Sequence, residues 1–135
     1  MDAAEFRRLG YRAVDLAAEH LANLRDRPVF TPMAPAERRL LLDQPLPETE
    51  LAGDTILDFI REYVLAHPMG NGHPRFFGWV NSPPDPMGAV VDLLAAALNA
   101  SCAGGDHAAI YLERCAVRWL TELVGFPSPA AWACS

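Results

Sequence analysis

Twelve prolines limit what this chain can fold into. Proline lacks a backbone donor and clashes with the preceding helical turn, and it disfavours the α region for the residue before it. Pro28, Pro32, Pro35, Pro45 and Pro47 crowd residues 28–53, while Pro68, Pro74, Pro83, Pro84 and Pro86 punctuate the middle of the chain. Helices are therefore confined to the intervals. The apolar spacing predicts them near residues 2–25, 36–42, 54–66, 87–101 and 106–124, with hardly a convincing strand anywhere. The expected fold class is all-α, about five helices with a proline-rich arm.

Asp2 followed by Glu5 resembles a capping box. Phe6, Leu9, Ala13, Leu16, Ala17, Leu21 and Leu24 then recur at helical spacing, and the stripe needs a docking surface. The arm 28–53 is suited to wrapping a neighbour, with Pro35 at the first turn of its short helix. Asp54 is expected to cap the third helix, whose stripe is Ile56, Leu57, Ile60, Tyr63 and Val64. Residues 87–100 are apolar except for Asp92 and Asn99, which predicts a helix buried in a larger body or an interface. Asp106 is expected to cap the last helix, with Leu112, Cys115, Ala116, Trp119, Leu120 and Leu123 facing inward and Gly125 stopping it.

Between the third and fourth helices lies His73-Pro74-Arg75-Phe76-Phe77-Gly78-Trp79-Val80-Asn81-Ser82, aromatic and without helical period. Such a segment is expected to press against a core, a partner subunit or a ligand.

With 135 residues, 51% of them apolar, the chain can build one real core. Its net charge of −6 argues against nucleic-acid binding. No apolar run reaches membrane-spanning length. All eleven basic residues are arginine. Without lysine, no side chain here can form a Schiff base with a carbonyl cofactor. Cys102, Cys115 and Cys134 lack metal-type spacing and read as reduced thiols of a cytoplasmic protein.

His67, His73, Asp85, Asp106 and His107 match no metal-ligand pattern, so turns and caps explain them better and no metal site is expected. Ser82, Ser101 and Ser128 lack a nucleophile-elbow context. Cys115 on an apolar stripe reads as inert core. Arg75 suits a substrate carboxylate or an aromatic ring, with a structural ion pair as the competing reading. Trp79 to Ser82 suit either a pocket wall or interface packing.

Several stretches together resemble the group II pyridoxal-phosphate-dependent decarboxylases of aromatic amino acids, tyrosine and glutamate. They are Glu5 to Asp15, His73 to Trp79, Asp92 to Asn99, Gly104 to Ala109 with Leu112-Glu113, Arg118 to Leu120 and Gly125 to Pro127. The resemblance covers residues 2–127 in order. It implies the N-terminal part of a fold-type I α/β enzyme whose cofactor domain lies further along. Residues 1–86 would form a helical arm and dimerisation segment, and 87–135 the start of the large cofactor domain. Trp79, Asn81 and Ser82 fall where family members place substrate contacts. His73, Arg75, Phe77, Asp106 and His107 would face substrate or partner, and 99–105 falls where the partner subunit approaches. Many members carry Ser-Pro-Ala where this chain has Asp106-His107-Ala108, and residues 128–135 lack the glycine- and serine-rich cofactor loop expected after Pro127.

The resemblance implies amino acid decarboxylation with pyridoxal phosphate in the intact enzyme, and assembly with a second copy or a full-length homologue. The 135-residue chain is expected to be catalytically silent and to bind no cofactor alone. A stand-alone helical interaction module is the alternative. Phe77 and Trp79 are expected to be more exposed, or more mobile, than their hydrophobicity suggests.

Overall fold

A computed structural model describes residues 1–126. It is helical throughout, with no strand among the described residues. Helix α1 spans Ala3–Ala22, α2 Pro35–Leu42, α3 Gly53–Phe59, α4 Pro86–Leu98 and α5 Ala108–Leu123. The chain divides into two compact units, one ending at Pro86 and one beginning at Met87.

In the first unit, α1 starts where Asp2 Oδ1 accepts the Glu5 N–H at 2.8 Å. This side-chain cap satisfies one of the orphan donors of the first turn and is worth ~1 kcal/mol. Helix α2 starts at Pro35, whose missing N–H costs nothing there. The Glu37 carboxylate reaches back to the Ala34 N–H at 2.6 Å.

Helix α3 corrects the expectation for Asp54. Ala52, in extended conformation, occupies the N-cap without a side-chain bond. Asp54 instead lies in the first turn, drawn off by two cations from α1. Arg8 grips it through both guanidinium ends, at 2.9 and 2.7 Å. Arg12 bridges Asp54 at 2.6 Å and also bonds Asp58. Beside this cluster Leu9, the buried apolar residue of α1, packs on Gly53, where an added Cβ would collide with its side chain. The missing side chain of Gly53 thus sets how closely the two helices approach.

The third helix is not α-helical to residue 66. From Ile60 to Val64 it widens to a π-turn, closed by Leu65 N–H to the Ile60 carbonyl at 2.8 Å. Apolar spacing is blind to one widened turn. The Phe59 and Tyr63 rings, 5.0 Å apart between centroids, pack along it. The helix ends before His67-Pro68, as the proline requires.

In the second unit, α4 ends at Leu98, and Asn99 takes a left-handed conformation (φ 45°) that asparagine tolerates better than most residues. Helix α5 starts two residues later than expected. Its N-cap is His107 without a side-chain bond, because the Asp106 carboxylate accepts the Tyr111 hydroxyl at 2.6 Å. Ile110 is the buried residue of α5. The expected inner stripe is largely uncovered, since Leu112, Trp119, Leu120 and Leu123 are 60–81% exposed. Their spacing was compatible with an inner face, but spacing does not supply the surface that covers it. The same holds for α4, none of whose residues is buried.

The α1–α3 cluster makes a pH prediction. Hydrogen bonds from Arg8, then Arg12, hold the Asp54 pKa down to about 2. A depressed carboxylate stabilises the fold above its unfolded pKa of about 4, and that contribution is lost as pH falls through the folded value. Asp54→Asn is expected to lower the urea midpoint of helix unfolding at neutral pH, followed by circular dichroism. Wild type and variant should converge toward about pH 2. An equal gap at both pH values would contradict the assignment.

Candidate functional site

Residues 73–82 form a loop clamped at its base, with an apolar tip in solvent. The approach is set by two glycines. Gly70 (φ 97°) passes so close to the Val29 carbonyl that a Cβ would strike it. Gly72 (φ 83°) lies against Pro84, whose Cδ would be 2.8 Å from an added Cβ. Both left-handed conformations favour glycine. On the far side, Asn81 Nδ2 donates to Asn71 Oδ1 at 3.4 Å and approaches Met69 Sδ at 3.6 Å. The two ends of the loop therefore lie side by side, the arrangement of an Ω-loop.

His73 is the buried polar residue of the unit, 5% exposed. Its Nε2 is 3.1 Å from the Arg27 carbonyl oxygen, and its Nδ1 is 3.0 Å from the Arg75 backbone nitrogen. A carbonyl can only accept and a backbone N–H can only donate, so Nε2 carries the proton and Nδ1 does not. Arg27 is itself a hub. Its guanidinium donates to the Leu65 carbonyl at 2.7 Å and to the Ala66 carbonyl at 3.5 Å, capping the end of the third helix. It also donates to His20 Nδ1 at 3.2 Å. Burial, and then the charge of Arg27, hold the His20 pKa below its ordinary value.

The tip is uncovered, as expected for Phe77 and Trp79. Phe77 is 91% exposed, Trp79 79% and Val80 105%. Trp79 also has φ 62°. A bulky residue in the left-handed region is an outlier that costs about 1–3 kcal/mol and persists only where the surroundings impose it.

The remaining candidates separate. Asn81 and Ser82 are exposed at the base of the same loop. Arg75 is exposed at its start. The arginine ion pairs of the described residues run through Arg8, Arg12, Arg61 and Arg118, so the structural ion pair considered for Arg75 is not among them. Asp106 and His107 belong to the second unit. There, Asp106 accepts from Tyr111, and His107 Nε2 donates to the Ser101 carbonyl at 2.9 Å. His67 Nδ1 donates to the Thr31 carbonyl at 3.1 Å. No group of three His, Cys, Asp or Glu able to hold a metal occurs among the described residues. Cys115 is half-buried and receives a weak contact from Arg118 at 3.7 Å. A hydrogen bond with Glu113, then burial, pushes the Cys102 thiol pKa up, away from reactivity. Among the described residues no helix is long and apolar enough to cross a membrane. Ser128 and the divergent tail 128–135 lie outside the described residues.

A cavity of about 430 Å³ opens between α1 and the π-turn, lined by Leu16, Glu19, His20, Asn23, Asp26, Arg27, Arg61, Leu65 and Ala66. No sequence signal marked it, nor Arg27 as a hub. Its contacts with Leu65, Ala66 and His73 reach residues 38 to 46 positions away, beyond any local pattern.

Comparison with known proteins gives the loop its context. The chain is 32% identical to an aromatic-L-amino-acid decarboxylase of Bacillus atrophaeus over 134 residues, 96% of this chain and 28% of the relative. It is 33% identical to a tyrosine decarboxylase of Oryza sativa subsp. japonica, covering 98% of this chain and 26% of the relative. A histidine decarboxylase of Drosophila melanogaster is 31% identical over 94% of this chain and 15% of its own length. The chain matches the N-terminal part of the group II pyridoxal-phosphate-dependent decarboxylases. It spans about a quarter or less of the length of these relatives. No family model matches the chain, and no solved structure gives a significant match.

These decarboxylases use pyridoxal phosphate. The residues present do not fit that cofactor by themselves. The chain has no lysine to carry it, and His73 and His107 are each committed to a backbone carbonyl.

Exposure of the tip is measurable. With Trp119→Phe and Trp132→Phe removing the other tryptophans, Trp79 is expected to emit at long wavelength and to be quenched freely by acrylamide. A blue-shifted, protected Trp79 in the monomer would overturn its placement at an open tip.

Proposed function

We propose that this chain forms the N-terminal part of a pyridoxal-phosphate-dependent amino acid decarboxylase, a carboxy-lyase of amino acid metabolism. In this reading the 73–82 loop is one wall of the substrate pocket, and the other walls and the cofactor-bearing groups come from further polypeptide. The observation that carries it is the sequence match over 96% of the chain to decarboxylases of which it spans 28% or less. Trp79, Asn81 and Ser82 are the substrate-side residues, and Trp79's strained, solvent-facing placement is what a wall awaiting its opposite face would have.

Uncovered apolar surface supports the same reading. On α4 alone, Met87, Val90, Val91, Leu93, Leu94 and Leu98 are 45–75% exposed. Burying such a side chain fully is worth about 1.5–3 kcal/mol, against a typical total stability of about 5–15 kcal/mol. A fold that forgoes this much burial is completed by another surface. The partners are further polypeptide of the same enzyme and a second copy meeting the N-terminal helices, with an amino acid as substrate.

Taken alone, the 135-residue chain is catalytically silent in this account, because it lacks the Schiff-base lysine. Incubation with pyridoxal phosphate and aromatic or acidic amino acids is expected to release no carbon dioxide and to give no lysine-aldimine absorbance. Either signal would sink the proposal. Light scattering separates the alternative: a compact, defined oligomer favours a stand-alone interaction module, and aggregation favours a part of a larger enzyme.

A further inference from the structure

The tip of the 73–82 loop holds a strained tryptophan in solvent, so something at its base must fix it. Two ties reach the loop from outside it. Asn81 bonds Asn71 at 3.4 Å, but both side chains lie near the surface and the bond is long. The His73 ring is buried and makes two bonds of ordinary length, at 3.1 Å to the Arg27 carbonyl and 3.0 Å to the Arg75 N–H. The backbone adds a turn on each side, His73 N–H to the Gly70 carbonyl at 3.1 Å and Phe76 N–H to the His73 carbonyl at 3.0 Å.

The partners make His73 more than a filler. The Arg27 carbonyl belongs to the residue whose guanidinium caps the third helix at Leu65 and Ala66 and bonds His20 of α1. A ring fixed to that carbonyl is referenced to two helices at once. On its other side the ring holds the N–H of Arg75, the third residue of the loop. An imidazole is the side chain that offers a donor and an acceptor in a rigid ring, one aimed at each of these groups.

We propose that His73 is the positioning residue of the loop: its Nε2–H to the Arg27 carbonyl sets where the Phe77–Trp79–Val80 tip stands, while its Nδ1 steadies the Arg75 amide. Its role is thus indirect. It touches neither substrate nor cofactor and acts on a pocket wall through the backbone. The functional consequence rests on the reading of this loop as that wall; the positioning itself does not.

The test is nuclear magnetic resonance on the isotope-labelled 135-residue chain, without substrate or cofactor, at a dilution where light scattering shows no self-association. The His73 ring nitrogens should show the single Nε2–H tautomer. A rapidly averaging pair of tautomers would overturn the proposal. His73→Gln can place an amide donor near the Nε2 position, and His73→Asn can place an acceptor oxygen near Nδ1. Gln is expected to keep the loop referenced to Arg27, leaving the Trp79 indole and the Phe77 to Asn81 amide signals near their wild-type positions. Asn is expected to retain slow exchange at the Arg75 amide while the Trp79 and Phe77 signals move. His73→Ala should move all of them and leave Leu9 and Asp54 in place. If Ala instead unfolds the unit, the Gln and Asn pair decides. Equal loss in both, or an unchanged loop in Ala, refutes the positioning role. Failure of the pocket-wall reading would be separate: the loop would respond as described, yet Trp79 would not matter to a substrate.

Discussion

The first unit depends on where the Arg27 guanidinium goes. A helix that ends leaves carbonyls without partners, and the third helix ends through a widened turn just before Pro68. Arg27, arriving from the end of α1, donates to two of those carbonyls and to His20. Hydrogen bonds from a charged donor are worth about 1.5–3 kcal/mol each, more than neutral ones. With little apolar burial available, such contacts decide the arrangement. The Arg27 backbone carbonyl then receives His73, so the polar hub that closes the two helices also locates the loop.

Apolar side chains contribute less to internal cohesion than their number suggests. Leu9 and Ile110 are the buried hydrophobic residues among those described, one in each unit. The ionic cluster of Arg8, Arg12, Asp54 and Asp58 holds the register of α1 on α3 around Leu9 and Gly53. The apolar faces of α4 and α5 are left outward. Polar ties at the surface hold the α1–α3 contact, while the apolar faces of α4 and α5 stay uncovered, a division that suits the proposal that other polypeptide covers them.

The helices were legible in the sequence because prolines and apolar period are local signals. Pro35 and Pro68 marked a start and a stop, and Asp2 capped α1 as its spacing with Glu5 implied. Asp54 and Asp106 were misread as caps, since a carboxylate near a helix start is also available to a distant arginine or to a nearby phenol, and local sequence cannot rank those partners. The loop was found by its missing period, and the exposure of Phe77 and Trp79 followed from the expectation of an incomplete pocket. The bonds that place it were not legible. The His73–Arg27 contact spans 46 positions and uses a backbone carbonyl, which leaves no mark on side-chain pattern. The apolar stripes of α4 and α5 told which residues seek cover but not where the cover resides.

The central claim is that this chain supplies one wall of a decarboxylase pocket completed elsewhere. The most direct measurement is decarboxylation by a chimaera in which residues 1–126 replace the matched stretch of the Bacillus atrophaeus aromatic-L-amino-acid decarboxylase. The account predicts a cofactor-loaded enzyme that releases carbon dioxide from an aromatic amino acid. Trp79→Ala within it should lower kcat/KM by about tenfold or more, with cofactor binding unchanged. A folded, cofactor-loaded chimaera that is inactive, or that is indifferent to Trp79→Ala, would contradict the account.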